Sequence, residues 1–203
     1  MRLPRFYPII DAASLPAGIS AADFAARLVE GGATLIQYRN KMGPGRELLA
    51  AAIAMREAVG SRAQLIMNDR ADVAVGAGFA GVHLGQDDLS PAGARLLCPP
   101  PMLVGYSTHN PEQVAAADQL PVDYIAIGPV FATTSKQNPD PVVGLEGVRK
   151  ARSLTAKPLV AIGGITLENC AEVVAAGADA VAVISALGDE PRKTTEAFLR
   201  VLG

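Results

Sequence analysis

Two aspartates, each following a short apolar run, are the residues of this sequence best suited to binding a metal ion. Residues 65–67 are apolar and lead to Asp69, and residues 82–84 are apolar and lead to Asp88. A short helical pattern separates the two runs, so the segment predicts a strand–helix–strand unit with parallel strands. Parallel strands end at one rim, where a divalent cation shared with substrate phosphates would relieve repulsion between the two carboxylates. An exposed acidic loop is the alternative interpretation.

Three basic residues are expected at the same rim. Arg39 and Lys41 follow the predicted strand 33–38, and Lys136 lies in the proline-containing stretch 128–144. With a metal ion bound nearby, the three cations could enclose a highly charged group such as a diphosphate. Each one alone is also consistent with a solvated surface side chain.

A pair of glycines predicts a second anion site. Gly163 and Gly164 follow the predicted strand 157–162 and precede a helix expected to begin at Thr166. Backbone N–H groups at such a turn can approach a phosphate, and the last two loops of a barrel of βα units commonly bind one. We therefore expect a phosphate near these glycines and Ser185. A tight turn without a ligand is the other explanation.

Neither the histidines nor the cysteines have the spacing of a metal-binding or nucleophilic motif. His83 lies within a predicted strand, which favours a packed, hydrogen-bonded role, whereas His109 follows a strand end and receives no assigned role. Neither histidine has a metal-binding spacing. Cys98 and Cys170 are far apart. We interpret them as buried or partly buried free thiols, as expected in a reducing cytoplasm.

Composition narrows the class of protein. The chain has 203 residues, half of them hydrophobic, and a formal net charge of -2. This length fits a single domain over residues 1–203, and the charge gives no indication of nucleic acid or an anionic membrane as a partner. We expect neither a membrane span nor a signal peptide, because no apolar run has the length that either requires. A homo-oligomer is left open.

The elements that position these residues form a repeat of strand and helix. Helix signals include Ser20 as an N-cap and a final helix over 191–202. Eight such units predict an α/β protein with a closed (β/α)8 TIM barrel. The stretch 128–144 is the exception, because an aperiodic loop of that length is usually functional. The predicted strands cover 6–10, 33–38, 65–67, 82–84, 102–104, 122–127, 157–162 and 180–184.

Seven short motifs occur in order along the chain: QYRNK at 37–41, ND at 68–69, GVHLGQDD at 81–88, GYSTH at 105–109, DYIAIGPVFATTSK at 123–136, VAIGGIT at 160–166 and AVISA at 182–186. Through these motifs the chain shows a resemblance to the thiamine phosphate synthase family over about residues 6–187. The resemblance implies a transferase with small-molecule substrates that joins an aminopyrimidine diphosphate to a thiazole phosphate, or its carboxylate form, and releases pyrophosphate. It also implies a TIM barrel and a Mg²⁺ ion.

The resemblance assigns roles residue by residue. Asp69 and Asp88 would bind Mg²⁺. Catalysis would depend on charge stabilisation by Arg39, Lys41, Ser107 and Lys136. The pyrimidine diphosphate would contact Gln37, Tyr38, Arg39, Asn40, Lys41, Asn68, Ser107 and Lys136, and the thiazole phosphate would contact Thr133, Thr134, Ser135, Gly164, Ile184 and Ser185.

Two departures and two other functions accompany this resemblance. Ser135 stands where the family usually has Thr, and Ala132 where it often has Pro; neither change removes a chemical group. A thiazole tautomerase-like relative would share the barrel and the glycine turn without needing the metal. A ligand-binding regulator would keep the sites without turning over.

Overall fold

The chain folds into a closed barrel of eight parallel strands surrounded by eight helices. The computed structural model describes residues 2–133 and 140–203. Each strand pairs with its neighbours in chain order, and β8 closes the barrel against β1. The strands are β1 Phe6–Asp11, β2 Leu35–Arg39, β3 Gln64–Asn68, β4 Gly81–Leu84, β5 Leu103–Thr108, β6 Tyr124–Ile127, β7 Leu159–Ile162 and β8 Ala180–Val183. The helices are α1 Ala21–Glu30, α2 Gly45–Val59, α3 Ala71–Ala77, α4 Pro91–Leu97, α5 Pro111–Asp118, α6 Gly144–Leu154, α7 Cys170–Ala175 and α8 Pro191–Leu202.

The predicted TIM barrel is therefore confirmed, and its strands separate two apolar layers. Side chains alternate between the faces of a strand, so successive residues enter different layers. On β2, Leu35 packs inside the barrel, whereas Ile36 packs between the strands and the helices. Tyr7 and Tyr124 also belong to the interior layer.

Helix signals read from the sequence match the structure at several ends. The side chain of Ser20 accepts a hydrogen bond from the N–H of Asp23 and caps α1. Ser90 and Asn110 cap α4 and α5 in the same way. These local signals suffice because each cap satisfies N–H groups that the first helical turn leaves without partners.

Several expected boundaries differ from the structure by one or two residues, and two differ by four. β5 continues to Thr108, so Gly105, Tyr106 and Ser107 lie within the strand rather than after it. The helix expected to begin at Thr166 begins instead at Cys170. Both segments lie at the mouth of the barrel. Pairing with the neighbouring strand extends β5, and a turn precedes α7, so that α7 begins later in the sequence.

Two further expectations concern cysteines and membranes. Cys98 and Cys170 are buried free thiols, as the sequence predicted. Within residues 2–133 and 140–203, no helix combines the length and the apolar character needed to cross a membrane.

Candidate active site

A cavity opens at the end of the barrel where the strands finish. It is lined by residues from all eight strands and from several of the loops that follow them. Eight of the residues that the sequence assigned to substrates line this cavity. They are Gln37, Arg39, Asn68, Ser107, Thr133, Gly164, Ile184 and Ser185.

Asp69 and Asp88 lie together beyond the ends of β3 and β4, as expected from the pairing of these strands, and Asp69 directly follows Asn68, which lines the cavity. Partial burial raises the pKa of the Asp69 carboxyl, and the neighbouring Asp88 carboxyl raises it further. Lys41, whose Nζ lies 3.3 Å from Asp69 Oδ2, lowers the pKa of Asp69. Asp88 is itself held in place, because its Oδ2 accepts a hydrogen bond of 2.7 Å from the N–H of Gly85.

The backbone at Asp69 has an unusual conformation. Its φ is +61°, and it is the single non-glycine residue in the described part of the chain with a positive φ. The N–H of Arg70 donates to the carbonyl of Asn68, which closes a three-residue turn around Asp69. The N–H of Asp69 donates to the carbonyl of His83 on β4 at 2.8 Å. A three-residue turn with positive φ at its centre is a strained conformation, and it places the Asp69 carboxylate next to that of Asp88.

These carboxylates are compatible with a bound Mg²⁺. Oxygen ligands suit this hard cation, and the Asp88 carboxyl raises the pKa of Asp69 even with Lys41 nearby, so a divalent cation would relieve the repulsion between the two carboxylates. Among the described residues, no group of three or more His, Cys, Asp or Glu side chains could hold a metal. A metal here would therefore take its remaining oxygen ligands from water or from a substrate phosphate.

The side chains of Arg39 and its neighbours in the sequence point in different directions, some into the cavity and some toward the helices. Arg39 lines the cavity and forms an ion pair with Asp11, a residue that sequence reasoning did not include in the site. Tyr38 points the other way and is buried between strands and helices, so its ring does not line the cavity. Asn40 contacts Tyr38 Oη through Nδ2 at 3.3 Å, and its Oδ1 accepts from the N–H of Met42. Alternation along a strand would have separated Tyr38 from Gln37 and Arg39 in the sequence.

Ser107 lies at the end of a row of buried polar side chains that sequence reasoning did not find. His83 Nε2 is 2.8 Å from Ser107 Oγ, and His83 Nδ1 is 3.1 Å from Tyr124 Oη. The Tyr124 hydroxyl is 2.9 Å from that of Tyr7, which accepts a hydrogen bond of 3.0 Å from Gln37 Nε2. Burial raises the pKa of both tyrosines well above the usual value, so both hydroxyls stay protonated at neutral pH. The expectation of a hydrogen-bonded His83 is confirmed.

The glycine turn lies on the opposite side of the cavity. Gly163 and Gly164 both have positive φ, +103° and +63°. The side chain of Asn169 holds the turn by donating from Nδ2 to the carbonyl of Gly164 at 3.0 Å. In the part of the chain that the structure describes, the N–H groups of Gly164 and Ile165 have no hydrogen-bond acceptor. The expected helix N-terminus is absent from this turn because α7 begins at Cys170, so any anion here is bound by the turn itself.

His109 and the far end of the long loop meet beside the cavity. His109 Nδ1 lies 2.7 Å from the carbonyl oxygen of Gly128 and 3.3 Å from Asp140 Oδ2. Both His109 and Asp140 line the cavity. Three residues assigned from the sequence, Thr134, Ser135 and Lys136, lie outside the described residues.

Comparison with known proteins finds a matching family and several similar proteins. A family model described as thiamine monophosphate synthase matches residues 6–187. A protein of Koribacter versatilis named thiamine-phosphate synthase is 57% identical over 205 residues, covering 100% of this chain and 97% of its own. A protein of the same name from Albidiferax ferrireducens is 46% identical over 171 residues, covering 84% and 78%. The solved structure of thiamine phosphate pyrophosphorylase from Pyrococcus furiosus superimposes with a TM-score of 0.86 at 34% identity, covering 98% and 95%.

Proposed function

The chain belongs to the thiamine monophosphate synthase family, and we propose that it is a thiamine phosphate synthase that joins 4-amino-2-methyl-5-(diphosphooxymethyl)pyrimidine to a thiazole phosphate. The thiazole partner is 4-methyl-5-(2-phosphoethyl)thiazole or its carboxylate form, and the products are thiamine phosphate and pyrophosphate. The observation that supports the proposal is that two chemically different sets of groups suited to binding anions lie at or beside one cavity. One consists of cations and paired carboxylates after β2, β3 and β4, and the other is the glycine turn after β7 with Ser185 after β8.

The diphosphate end combines fixed and mobile positive charge. Arg39 is held against Asp11 with only a fifth of its side chain exposed, so its guanidinium has a defined position at the cavity. Lys41 is more than half exposed and is free to reach a phosphate oxygen beyond Asp69. Asn68 and Ser107 add uncharged hydrogen-bonding groups beside them. Lys136, outside the described residues, is assigned to the same diphosphate on its sequence motif.

Mg²⁺ is proposed as the cofactor, with Asp69 and Asp88 as its protein ligands. When bound, it supplies positive charge next to the leaving diphosphate. The support for this assignment is the carboxylate pair itself, in which Asp88 raises the pKa of Asp69. Asp88 keeps its orientation through the N–H of Gly85.

The thiazole phosphate is proposed to bind at the glycine turn. The N–H groups of Gly164 and Ile165, which find no acceptor among residues 2–133 and 140–203, lie at the cavity wall, and Ser185 adds a hydroxyl. Backbone N–H groups bind phosphate well because they are fixed dipoles that need no reorganisation. The phosphate thereby anchors the thiazole so that its ring nitrogen faces the pyrimidine methylene carbon.

The reaction then needs charge stabilisation and alignment rather than a protein nucleophile. The bond between the methylene carbon and the bridging oxygen breaks, and its electron pair stays on the departing pyrophosphate. Arg39 and Lys41 stabilise that growing negative charge. The methylene carbon becomes cation-like, supported by electron donation from the pyrimidine amino group, and the lone pair of the thiazole nitrogen forms the new carbon–nitrogen bond.

Pyrophosphate release tests the proposed function. Purified protein is given both substrates with Mg²⁺, and pyrophosphate and thiamine phosphate are measured together. Omitting either substrate, or adding a chelator, should stop the release. A tautomerase-like relative would isomerise a thiazole without Mg²⁺, and a regulator would bind ligands without releasing pyrophosphate; either result would refute the proposal.

A matched pair of arginine variants links the activity to the cavity. Arg39→Ala should lower activity strongly, because it removes the fixed cation from the diphosphate end. Arg192→Ala removes an equally charged side chain from an exposed pair with Glu196 on α8 and should leave activity unchanged.

A cytoplasmic location is also part of the proposal and is supported by the two free thiols.

A further inference from the structure

Four hydrogen bonds join five side chains into one continuous row across the barrel interior. The row begins at Gln37 on β2 and passes through Tyr7, Tyr124 and His83 to Ser107 on β5. The two tyrosine side chains are fully buried, and Gln37 and His83 are nearly so. Both ends of the row, Gln37 and Ser107, line the cavity.

The first member of the row determines the direction of the others. An amide nitrogen can only donate, so Gln37 Nε2 makes the Tyr7 oxygen an acceptor. The single hydroxyl proton of Tyr7 is then available for Tyr124, and that of Tyr124 for His83 Nδ1. An Nδ1 that accepts leaves the proton of a neutral imidazole on Nε2. His83 Nε2–H therefore donates to Ser107 Oγ.

The opposite direction leaves a proton without a partner. If Ser107 donated to His83, Nδ1–H would donate to Tyr124, and Tyr124 would donate to Tyr7. The Tyr7 oxygen would then accept from both Gln37 and Tyr124, and within the described ranges its own proton would have no acceptor. An unsatisfied buried donor is costly, so the first direction is favoured.

The packing around the hydrogen bond between His83 and Tyr124 is close. The rings of His83 and Tyr124 are stacked with centroids 5.5 Å apart, and Tyr7 meets Tyr124 edge-on at 6.0 Å. A Cβ added to Gly105 would lie 2.4 Å from Tyr124 Oη and 2.5 Å from His83 Nδ1. Gly105 has no positive φ, so the hydrogen bond between the two rings, rather than backbone conformation, accounts for a glycine here.

We infer that Tyr7, Tyr124 and His83 are positioning residues that keep the Ser107 hydroxyl as a hydrogen-bond donor toward the cavity. With Oγ accepting from His83, the one hydroxyl proton of Ser107 is directed to a ligand. Its partner is an acceptor atom of the pyrimidine diphosphate, an identification that rests on the proposed function. The direction of the row itself does not depend on that identification.

Nuclear magnetic resonance of the full chain tests the direction. The sequence has two histidines, so ¹⁵N-histidine labelling gives two imidazoles, and a His109→Gln variant assigns them. Long-range ¹H–¹⁵N spectra at neutral pH should show His83 with a protonated Nε2 and a bare Nδ1. A proton on Nδ1, alone or together with Nε2, would overturn the inference.

A double-mutant cycle tests the positioning role by calorimetric binding of the pyrimidine diphosphate. Tyr124→Phe should weaken binding about tenfold when Ser107 is present and less than twofold in a Ser107→Ala background. Ser107→Thr keeps the hydroxyl and should keep the sensitivity to Tyr124→Phe. Tyr106→Phe on β5, a partly buried tyrosine outside the row, should change binding less than twofold. Equal losses in both backgrounds would show that Tyr124 is merely structural.

Two further measurements keep the outcomes separable. Gly105→Ala changes no residue of the row but forces the rings of His83 and Tyr124 apart, so it should also remove the tautomer preference. If either variant fails to fold, the wild-type spectrum alone decides the direction. Failure of the wild-type protein to release pyrophosphate refutes the proposed function. An Nδ1–H tautomer in an active enzyme refutes only the inferred direction of the hydrogen bonds in the row.

Discussion

Asp11 and Arg39 are register partners at the ends of β1 and β2, and the Asp11 carboxylate accepts a hydrogen bond from the Arg39 guanidinium. The carboxylate is nearly buried, and its other oxygen accepts from the N–H of Ala13 at 3.1 Å. Asp11 is thus fixed by the backbone and in turn fixes Arg39. The cation expected to bind diphosphate is therefore held in place before any ligand arrives, which reduces the entropy lost on binding.

The first prediction concerns this ion pair. Asp11→Asn should weaken pyrophosphate binding and lower kcat/KM about tenfold, because a neutral amide holds the guanidinium less firmly than a carboxylate. Isothermal calorimetry and steady-state kinetics measure the two effects. Glu196→Gln, which weakens an exposed arginine pair on α8, serves as the control and should change neither. Tighter pyrophosphate binding in Asp11→Asn would instead show that Asp11 competes with the ligand for Arg39.

The second prediction concerns the carboxylate pair. Asp69→Asn should remove most of the activity, yet in chelator it should unfold at a temperature no lower than the wild-type protein. The substitution removes a charge that burial and Asp88 both disfavour. Thermal unfolding with and without Mg²⁺ should show stabilisation by the metal in the wild-type protein and none in the variant.

Two results would contradict the metal assignment. One is full activity of the wild-type protein in chelator. The other is Mg²⁺ stabilisation of Asp69→Asn equal to that of the wild-type protein.

The third prediction concerns the thiazole phosphate end. Ser185→Asp should raise the KM for the thiazole phosphate at least tenfold, because a carboxylate at the cavity wall repels the phosphate. The KM for the pyrimidine diphosphate should change by less than about twofold, since that ligand binds across the cavity. Ser153→Asp adds the same charge on exposed α6 and controls for net charge. A uniform rise in both KM values would argue against separate anion sites.

The fourth prediction separates strain from packing at the glycine turn. A Cβ on Gly164 would lie 2.5 Å from the carbonyl oxygen of Ala132 and 2.7 Å from Phe131 Cβ. Gly78, which ends α3, has a similar φ of +67° but open space around it. Gly78→Ala should therefore cost about 1 kcal/mol of unfolding free energy, from the left-handed backbone alone. Gly164→Ala should cost at least about 2 kcal/mol more through overpacking.

Chemical denaturation of both variants measures these costs, with the wild-type protein as the reference. Equal costs for the two substitutions would mean that the loop carrying Phe131 and Ala132 moves aside readily. In that case the turn would not be held by its packing against this loop.

The sequence by itself determined the barrel and the approximate composition of its mouth. Periodicity and capping residues are local properties, so Ser20 and Asn110 could be assigned to helix starts without any tertiary information. The proximity of Asp69 and Asp88 also followed, because consecutive parallel strands in a barrel are neighbours. Strand alternation would further have excluded Tyr38 from the cavity, a signal that was present but not applied.

Tertiary structure alone decided how the side chains at the mouth are partnered. The pairing of Asp11 with Arg39 depends on the register between β1 and β2. The row from Gln37 to Ser107 joins side chains from five strands across the barrel. The late start of α7 at Cys170 likewise depends on the turn held by Asn169. Local sequence specifies which residues face inward, but their hydrogen-bond partners come from strands far apart in the chain. Those partners become defined only when the barrel closes and brings the strands together.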